Sequence, residues 1–503
     1  MARGQAQIAI IGAGIGGLAA ALRLSHGGAK VTVFESHAAC GGKMRTLPTV
    51  AGPVDAGPTV LAMKPVFDAL FSDVGLALDD HVTMLPQTTL ARHFWRDGTT
   101  LDLMQDHGLS IENIRAAFGA KSAEEFTAFC TRAAKLYDAF NPSMMQSAAP
   151  SLAALSRVVA SNPRLIPAMD PARSLAQSLR KQFSDPRLVQ LFARYATYVG
   201  GLPNASPALL SLIWHAEAQG VWHVKGGMHQ LARGIETCAK SFSTEFHYNS
   251  HVTRIEAQSG KACAVHTADT RHAVDAVLFN GDPRALTEGH LGPIAKKAVS
   301  ETATTPRSLS ASVMSFAAVP SGIDLSAHNV FFASDPNLEY APLTKGEPQT
   351  DPTLYVCAQD RFGGATPSGP ERFEIILNSP PTTTDKARHS CQTLIINRLS
   401  EHGLTFSPTP DGVTQPQDFA QMFPASNGSL YGRSPHGMMA AFKRPTARTK
   451  VKGLYLTGGG AHPGAGVPMA ALSARHAAAA ILKDLPSTST SPRAVMRGGM
   501  STE

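Results

Sequence analysis

The sequence predicts an α/β protein in which a Rossmann-like nucleotide-binding domain carries an inserted α+β region. Three observations predict it. The chain opens on a strand, a glycine turn, a helix and a second strand; it closes on another strand, glycine turn and helix around Gly460; and the long stretch between has helical and strand periodicities of its own. At 503 residues it is too long for one compact core, and 43% hydrophobic against 17% charged residues leaves ample material for two.

The opening unit runs from Gln7 to Arg45. Ile8, Ala9, Ile10 and Ile11 form a continuous apolar run, the pattern of a strand buried on both faces. Gly12, Gly14 and Gly17 then fall on the G-x-G-x-x-G spacing. Gly12 permits the tight turn, Gly14 lets a pyrophosphate approach the main chain, and Gly17 lets the following helix, Leu18 to Ser25, pack closely with its N-terminal N–H groups facing the anion. Lys30 to Glu35 is a second strand, and Glu35 lies about 20 residues past the glycines, where a carboxylate meets the ribose hydroxyls. It is the register of all five parts that separates this from a ligand-free glycine turn.

Arg3 followed by the apolar run Ile8 to Leu22 imitates a leader, but the fingerprint accounts for that run, so no leader is expected. The uncharged stretches Tyr195 to Ala216 and Gly453 to Ala474 are broken by Gly200, Gly201, Pro203 and Pro207, and by Gly458 to Gly460, Pro463 and Pro468. Neither offers the roughly 20 apolar residues of a spanning helix. Cys40, Cys130, Cys238, Cys263, Cys357 and Cys391 are scattered without C-x-x-C spacing and are expected as reduced thiols, with no metal. The formal charge of +7, with no block of consecutive Lys/Arg, points to anionic lipid or no partner, and not to nucleic acid.

From Thr59 to about Val224 the pattern is mostly helical. Phe126, Phe129, Cys130, Ala133, Tyr137 and Phe140 recur on one face with Glu124, Arg132, Lys135 and Asp138 on others, a pattern that fits a core face and also a lipid-contacting face. Ser151 to Met169 groups Leu152, Leu155, Val158, Val159, Leu165 and Ile166 beside Arg157 and Arg164, broken by Pro163 and Pro167: an apolar mouth for a bilayer, or ordinary packing. After Val224-Lys225-Gly226-Gly227-Met228 comes a helix, His229 to Lys240, then alternating strands Phe246 to Glu256 and Ala262 to Thr267 about a Ser259-Gly260 turn. Ala276 to Phe279, ending in Asn280-Gly281-Asp282-Pro283, returns the chain to the nucleotide domain.

Leu309 to Ala317, Asn329 to Ala333, Thr353 to Ala358 and Phe373 to Asn378 are strands, separated by proline-rich loops such as Pro342 to Pro352, and predict a mixed or antiparallel sheet walling a substrate cavity. Lys386 to His402 is a helix. The expected division assigns 1–75, 225–283 and 451–485 to the nucleotide domain, 76–224 to a helical, membrane-facing part of the substrate domain and 284–450 to its sheet. The tail 486–503, rich in Ser, Thr, Pro and Gly, is expected to be disordered.

The closing unit runs Leu454 to Gly460 and on through His462 to Met469, with Pro468 in the first helical turn, where its missing N–H costs nothing. A helix N-terminus here brings positive potential to whatever sits on it, so Gly458, Gly459, Gly460, Gly466, Val467 and Met469 are expected at a cofactor. His462 invites a catalytic role, but its glycine neighbours favour a cofactor-contact loop, and no catalytic residue is assigned. The sequence has no Ser/His/Asp triad signature and no H-E-x-x-H.

Gly41-Gly42-Lys43 and Asp55-Ala56-Gly57-Pro58 resemble segments that follow the fingerprint in flavin amine oxidases and carotenoid desaturases. The resemblance implies non-covalent FAD on a fold of the flavin amine oxidase type, Gly42 and Lys43 at the cofactor, and the Val252 backbone facing the adenine. D-A-G-P-T, R-Y-A-T-Y-V-G-G at Arg194 to Gly201, K-G-G-M and G-G-G-A-H-P-G-A-G-V-P together resemble the bacterial carotenoid (phytoene-type) desaturase family up to about Leu485. Gly57 to Met63 and Gly466 to Ala478 look most like its hydroxyneurosporene (methoxyneurosporene) branch, the 1-hydroxycarotenoid 3,4-desaturases.

That resemblance implies an FAD-dependent C3–C4 desaturation of a 1-hydroxylated acyclic carotenoid. It also implies electrons leaving to a quinone or oxygen, and a cytoplasmic protein peripherally held at an inner or photosynthetic membrane. No side chain accepts a hydride, so a flavin must, while the protein supplies a dry apolar channel. His215, Glu217 and His223 are candidates for the polar group meeting the hydroxyl. Phytoene desaturation, carotenoid isomerisation and non-catalytic lipid escort on the same fold are the alternatives; Glu35 and the Gly458 to Gly460 turn count against the escort.

Overall fold

The structure is a computed structural model and describes residues 5–364, 366–381 and 388–485; the tail expected from Pro486 lies outside the described residues. A five-stranded parallel sheet is ordered Glu245–His247, Lys30–Phe34, Gln7–Ile11, Ala276–Phe279, Leu454–Leu456. Gln7–Ile11 is central, Ile8 lying between Val31 and Ala276. Hydrogen-bonded on both edges and covered on both faces, it has no place for a polar side chain, which is why it reads as an unbroken apolar run. The chain continues from it to Lys30–Phe34 on one side and returns much later to Ala276–Phe279 on the other, so the crevice beyond its C-terminal end is the topological switch point where such sheets take ligands.

Helix Ile15–His26 packs between helices Val467–Asp484 and His229–Ser241. Ala470, Ala471, Ala474, Ala477 and Ala478 are all buried in the same core as Leu18 and Leu22; side chains this small let the first and last helices approach closely.

The second sheet has seven strands, ordered Thr405–Ser407, Ser310–Ser321, Glu371–Ser379, Leu354–Ala358, His328–Phe331, Thr89–Phe94, Thr100–Met104. It is mixed, as expected, with one parallel pairing between His328–Phe331 and Thr89–Phe94. The Thr89–Met104 hairpin departs from the mostly helical reading of its region. Its strands are short, and it is held by a two-pronged Arg92–Asp102 pair at 2.8 and 2.9 Å and by the turn from Trp95 to Thr99, which contains Asp97-Gly98. Pro342 likewise falls not in a loop but inside helix Pro336–Lys345, whose N-terminus is capped by the Asp335 carboxylate accepting from Asn337 N–H at 2.8 Å.

The expected strand Phe246 to Glu256 divides in two: Glu245–His247 completes the nucleotide sheet and Arg254–Gln258 joins a small antiparallel sheet. The break is made where Asn249 takes φ 51° and the chain crosses the end of the Lys30–Phe34 strand, Asn249 N–H donating to His37 O and Ser250 N–H to Glu35 O. In helix Ala120–Phe140 the residues Phe126, Phe129, Ala133, Tyr137 and Phe140 are buried, which settles that face as core. Helix Leu152–Ser161, by contrast, buries no residue, and Leu152 and Ile166 are 51% and 49% exposed.

Candidate functional site

At the end of the central strand the chain turns through Gly12, at φ 100°, with its N–H donating to Phe34 O at 2.8 Å. A Cβ on Gly17 would stand 2.1 Å from Gly12 O, so only glycine lets the helix return this close to the turn. The Glu35 carboxylate, buried, accepts from Ala13 N–H at 2.7 Å and from His37 N–H at 2.9 Å. It therefore ties the end of the second strand to the glycine loop. The Gly41-Gly42 turn crosses the same loop: Gly41 N–H donates to Ala13 O at 2.9 Å, and a Cβ on Gly42 would lie 3.2 Å from Gly14 Cα.

Asn280, at the end of the fourth strand of the nucleotide sheet, went unread as a site residue. Its Nδ2 donates to Gly12 O at 3.1 Å and Gly14 O at 3.4 Å, while its Oδ1 would meet a Cβ on Gly16 at 2.5 Å and on Gly458 at 2.6 Å. One amide thus seats the glycine turns from both ends of the chain; its only sequence signal was Asn-Gly-Asp-Pro after an apolar strand.

The closing turn has Gly458 at φ 94° and Gly466, at φ 117°, before helix Val467–Asp484, with Pro468 in the first turn and Val467 and Met469 part-buried there. Gly459 O accepts from the Arg444 guanidinium at 2.9 Å; the other end of that guanidinium donates to Tyr431 O and Arg433 O at 2.9 and 2.7 Å. Burial pushes Arg444 down to about 10 and Lys43 down to about 8. The Lys43 ammonium donates to Leu430 O and lies 5.5 Å from the Phe423 ring centre, and Arg307 pairs with Asp282 close by. Three cations drawn inward around one carboxylate, beside a glycine cradle and two helix N-termini, are a donor set for an anionic dinucleotide.

His462 is buried, its Nε2 is 2.8 Å from Ser147 O, and its ring stacks on His476 at 5.8 Å. Burial holds it below the ordinary histidine range, so it acts as a neutral tie to the 141–147 segment. Val252 is buried with Phe34 and Phe279 at the edge of the nucleotide sheet. Asp55 accepts from Met228 N–H at 2.7 Å, and a Cβ on Gly227 would lie 2.7 Å from its carboxylate, so the D-A-G-P and K-G-G-M segments are two halves of one tie.

Of the three polar candidates, His215 rests against the Tyr137 ring at 5.1 Å and Gln219 at 2.8 Å. Glu217, raised by burial, accepts from Tyr195 Oη at 2.7 Å. His223, pushed down to about 4 by burial, stacks on Phe362 at 3.8 Å. Tyr198, Tyr355 and Tyr431 lie deep enough for burial to raise their phenols, yet each keeps part of its surface open. The Lys43 side chain is exposed, although the protein gathered around it pulls its ammonium down to about 8.

Residues 15–313 match the family described as flavin containing amine oxidoreductase. The chain is 52% identical to hydroxyneurosporene desaturase of Cereibacter sphaeroides, over 96% of this chain and 99% of that one. It is 46% identical to hydroxyneurosporene desaturase of Rhodobacter capsulatus over 96% and 99%. A 1-hydroxycarotenoid 3,4-desaturase of Flavobacterium sp. is 29% identical over 93% and 97%. Among solved structures, an oxidoreductase from Methanosarcina mazei superposes with a TM-score of 0.61 at 17% identity, covering 93% of this chain and 99% of that one. Putrescine oxidase bound to putrescine gives 0.61 at 14% identity over 95% and 99%; both likenesses speak for the fold alone. End-to-end likeness at these identities, on a cradle that fits a dinucleotide, makes this chain an FAD-dependent oxidoreductase of the flavin-containing amine oxidoreductase family, in its carotenoid desaturase group.

Proposed function

We propose that this enzyme introduces a C3–C4 double bond into a 1-hydroxylated acyclic carotenoid. The observation that carries the reading is the end-to-end relationship to hydroxyneurosporene desaturases of a chain whose glycine turns from both ends are seated together on Asn280. FAD supplies the hydride acceptor that no side chain offers. Gly12, Gly14 and Gly42 would hold its diphosphate, with Gly17 letting the helix pack close behind them, Glu35 the ribose hydroxyls and the Val252 backbone the adenine. Lys43, Gly458, Gly459, Gly460, Gly466, Val467 and Met469 would hold its ring end. The remaining task of the protein is to bind the polyene in a fixed pose and keep water away; a cation spread along a polyene needs no strong base, and no side chain is assigned as one.

The same reading places the enzyme at the cytoplasmic surface of the inner or photosynthetic membrane, and passes its electrons to a quinone or oxygen. Each methylene taken from an apolar phase into water costs about 0.8 kcal/mol, so the polyene stays in the bilayer and the enzyme must approach it. Among the described residues no helix is long and apolar enough to cross a membrane. The exposed Leu152 and Ile166, flanked by Arg157 and Arg164, are the surface proposed to touch lipid. Hydroxylated and unhydroxylated neurosporene competing in one liposome preparation test the substrate. Faster conversion of the hydroxylated one, with the new bond at C3–C4, is expected; efficient multi-step desaturation of phytoene would place the enzyme in the phytoene desaturase branch instead.

A further inference from the structure

One face of the seven-stranded sheet packs on helix Arg388–Glu401, with Leu354, Val356, Phe373, Ile375 and Leu377 buried in one cluster with Ile395 and Leu399. Because side chains alternate along a strand, Tyr355, Cys357, Glu374 and Ile376 project from the opposite face. Register sets Ser315 opposite Glu374, Glu374 opposite Cys357, and Cys357 opposite His328. Directly opposed residues share a face, so Ser315, Glu374, Cys357 and His328 form one row across four strands. Tyr355 stands in the adjacent row. Its hydroxyl joins Thr59 Oγ1 at 2.9 Å to His328 Nδ1 at 2.7 Å, and its side chain is not fully buried.

Ser315 Oγ, both carboxyl oxygens of Glu374 and His328 Nε2 are buried and have no hydrogen-bond partner. Folded proteins rarely leave one such group unpaired, because each has given up water for nothing. Three such groups in one row of four, with Cys357 between Glu374 and His328, fit a partner that arrives from outside the chain. Burial, reinforced by the nearby Asp55, raises the Glu374 carboxyl well above its ordinary range. A neutral carboxyl both donates and accepts, which matches an alcohol.

Position agrees with this chemistry. The Lys43 to Arg45 and Gly57 to Thr59 runs lead from the glycine cradle to the row, where Arg45 brings positive charge to Glu374 and the Thr59 hydroxyl, engaged with Tyr355, stands near its carboxyl without a well-formed hydrogen bond. In a 1-hydroxylated carotenoid the oxygen is three bonds from C3, no more than about 4 Å by ordinary bond lengths. Its partner must therefore stand beside the bond being oxidised, at the junction of cradle and sheet. Glu217 is engaged by Tyr195, and His215 by Gln219.

We propose that Glu374, with Ser315 beside it and His328 farther along the same row, receives the substrate hydroxyl and is the specificity-determining residue of the site. This rests on the 1-hydroxylated carotenoid assigned above. The test uses full-length, FAD-loaded wild type, Glu374→Gln and Glu374→Leu, each given 1-hydroxyneurosporene and neurosporene in competition in liposomes, together with their melting temperatures. Wild type should prefer the hydroxylated carotenoid. Glu374→Leu should lower that preference, as a ratio of kcat/KM values, at least about tenfold, because the hydroxyl then enters a site with no partner. Glu374→Gln, still able to donate and accept, should keep the preference within about threefold. Removing an unpaired buried carboxyl should leave Glu374→Leu melting at or above wild type. Undiminished preference in Glu374→Leu would sink the role of Glu374 while sparing the substrate; no preference in wild type would sink both. A Glu374→Leu protein that melts well below wild type, or does not fold, would make the carboxyl a structural group and overturn the proposal.

Discussion

Gly14 caps the first helix and Gly17 lies three residues on within its first turn, and the structure separates what each is for. Gly14 has φ −71° and ψ 172°, a conformation open to any residue, and a Cβ there would meet only Asn280 Nδ2, at 3.2 Å. Gly14→Val should therefore fold, at the cost of about one displaced hydrogen bond, 0.5–1.5 kcal/mol. What it should lose is the cofactor: moving the diphosphate off the loop forfeits two or more charge-assisted hydrogen bonds of roughly 1.5–3 kcal/mol each, at least about a hundredfold in Kd. Gly17→Ala differs. Its Cβ would sit 2.1 Å from Gly12 O, a backbone atom that cannot move aside, and the expected loss is about 3 kcal/mol or more of folding stability. Melting must be compared on flavin-free protein, since bound FAD stabilises by mass action. Flavin absorbance after gel filtration reads occupancy. Gly14→Val purified with wild-type flavin content, or Gly17→Ala melting like wild type, would refute the reasoning.

The remaining expectations are smaller in scale. Glu35→Ala leaves the buried Ala13 N–H without its acceptor and should cost about 1–3 kcal/mol in flavin-free denaturant unfolding as well as weaken FAD binding; unchanged stability would show the 2.7 Å contact to be idle. Asp55→Ala removes the acceptor for Met228 N–H, the tie between two segments 173 residues apart, and should cost a similar amount. Lys43 is pushed down by burial to about 8, so flavin-free stability should rise with pH from about 8 toward the ordinary lysine range, where the unfolded chain still binds the proton and the folded chain has released it. FAD affinity should fall over the same window as the ammonium discharges, and Lys43→Met should flatten both profiles; a wild-type slope in that variant would refute the assignment. Leu152→Asp with Ile166→Asp should leave melting unchanged, since both residues are about half exposed, while lowering flotation with anionic liposomes at least about tenfold; equal flotation would remove that surface from the membrane reading.

What the sequence alone determined was whatever is encoded by neighbours along the chain. The strand, glycine spacing, helix and terminal Glu35 are a contiguous run whose backbone demands are local, so each could be placed, and the same holds for Gly458 to Gly466 before Pro468. The Thr89–Met104 hairpin was hidden because its strands are short and lie in a helical region, and the single strand expected over Phe246 to Glu256 divides where it meets the Glu35 and His37 carbonyls. Only the tertiary structure decided the contacts between distant positions: Asn280 seating Gly12 and Gly458 together, Arg444 on Gly459, Asp55 on Met228. Glu374 is the sharpest case. In the sequence it is one acid in a strand pattern; strand pairing sets Ser315, 59 residues before it, and Cys357 beside it, and burial from both sides takes away its water. Periodicity says which face of a strand a residue occupies, but what that face looks onto depends on the register of other strands, and register is an energy of the whole fold.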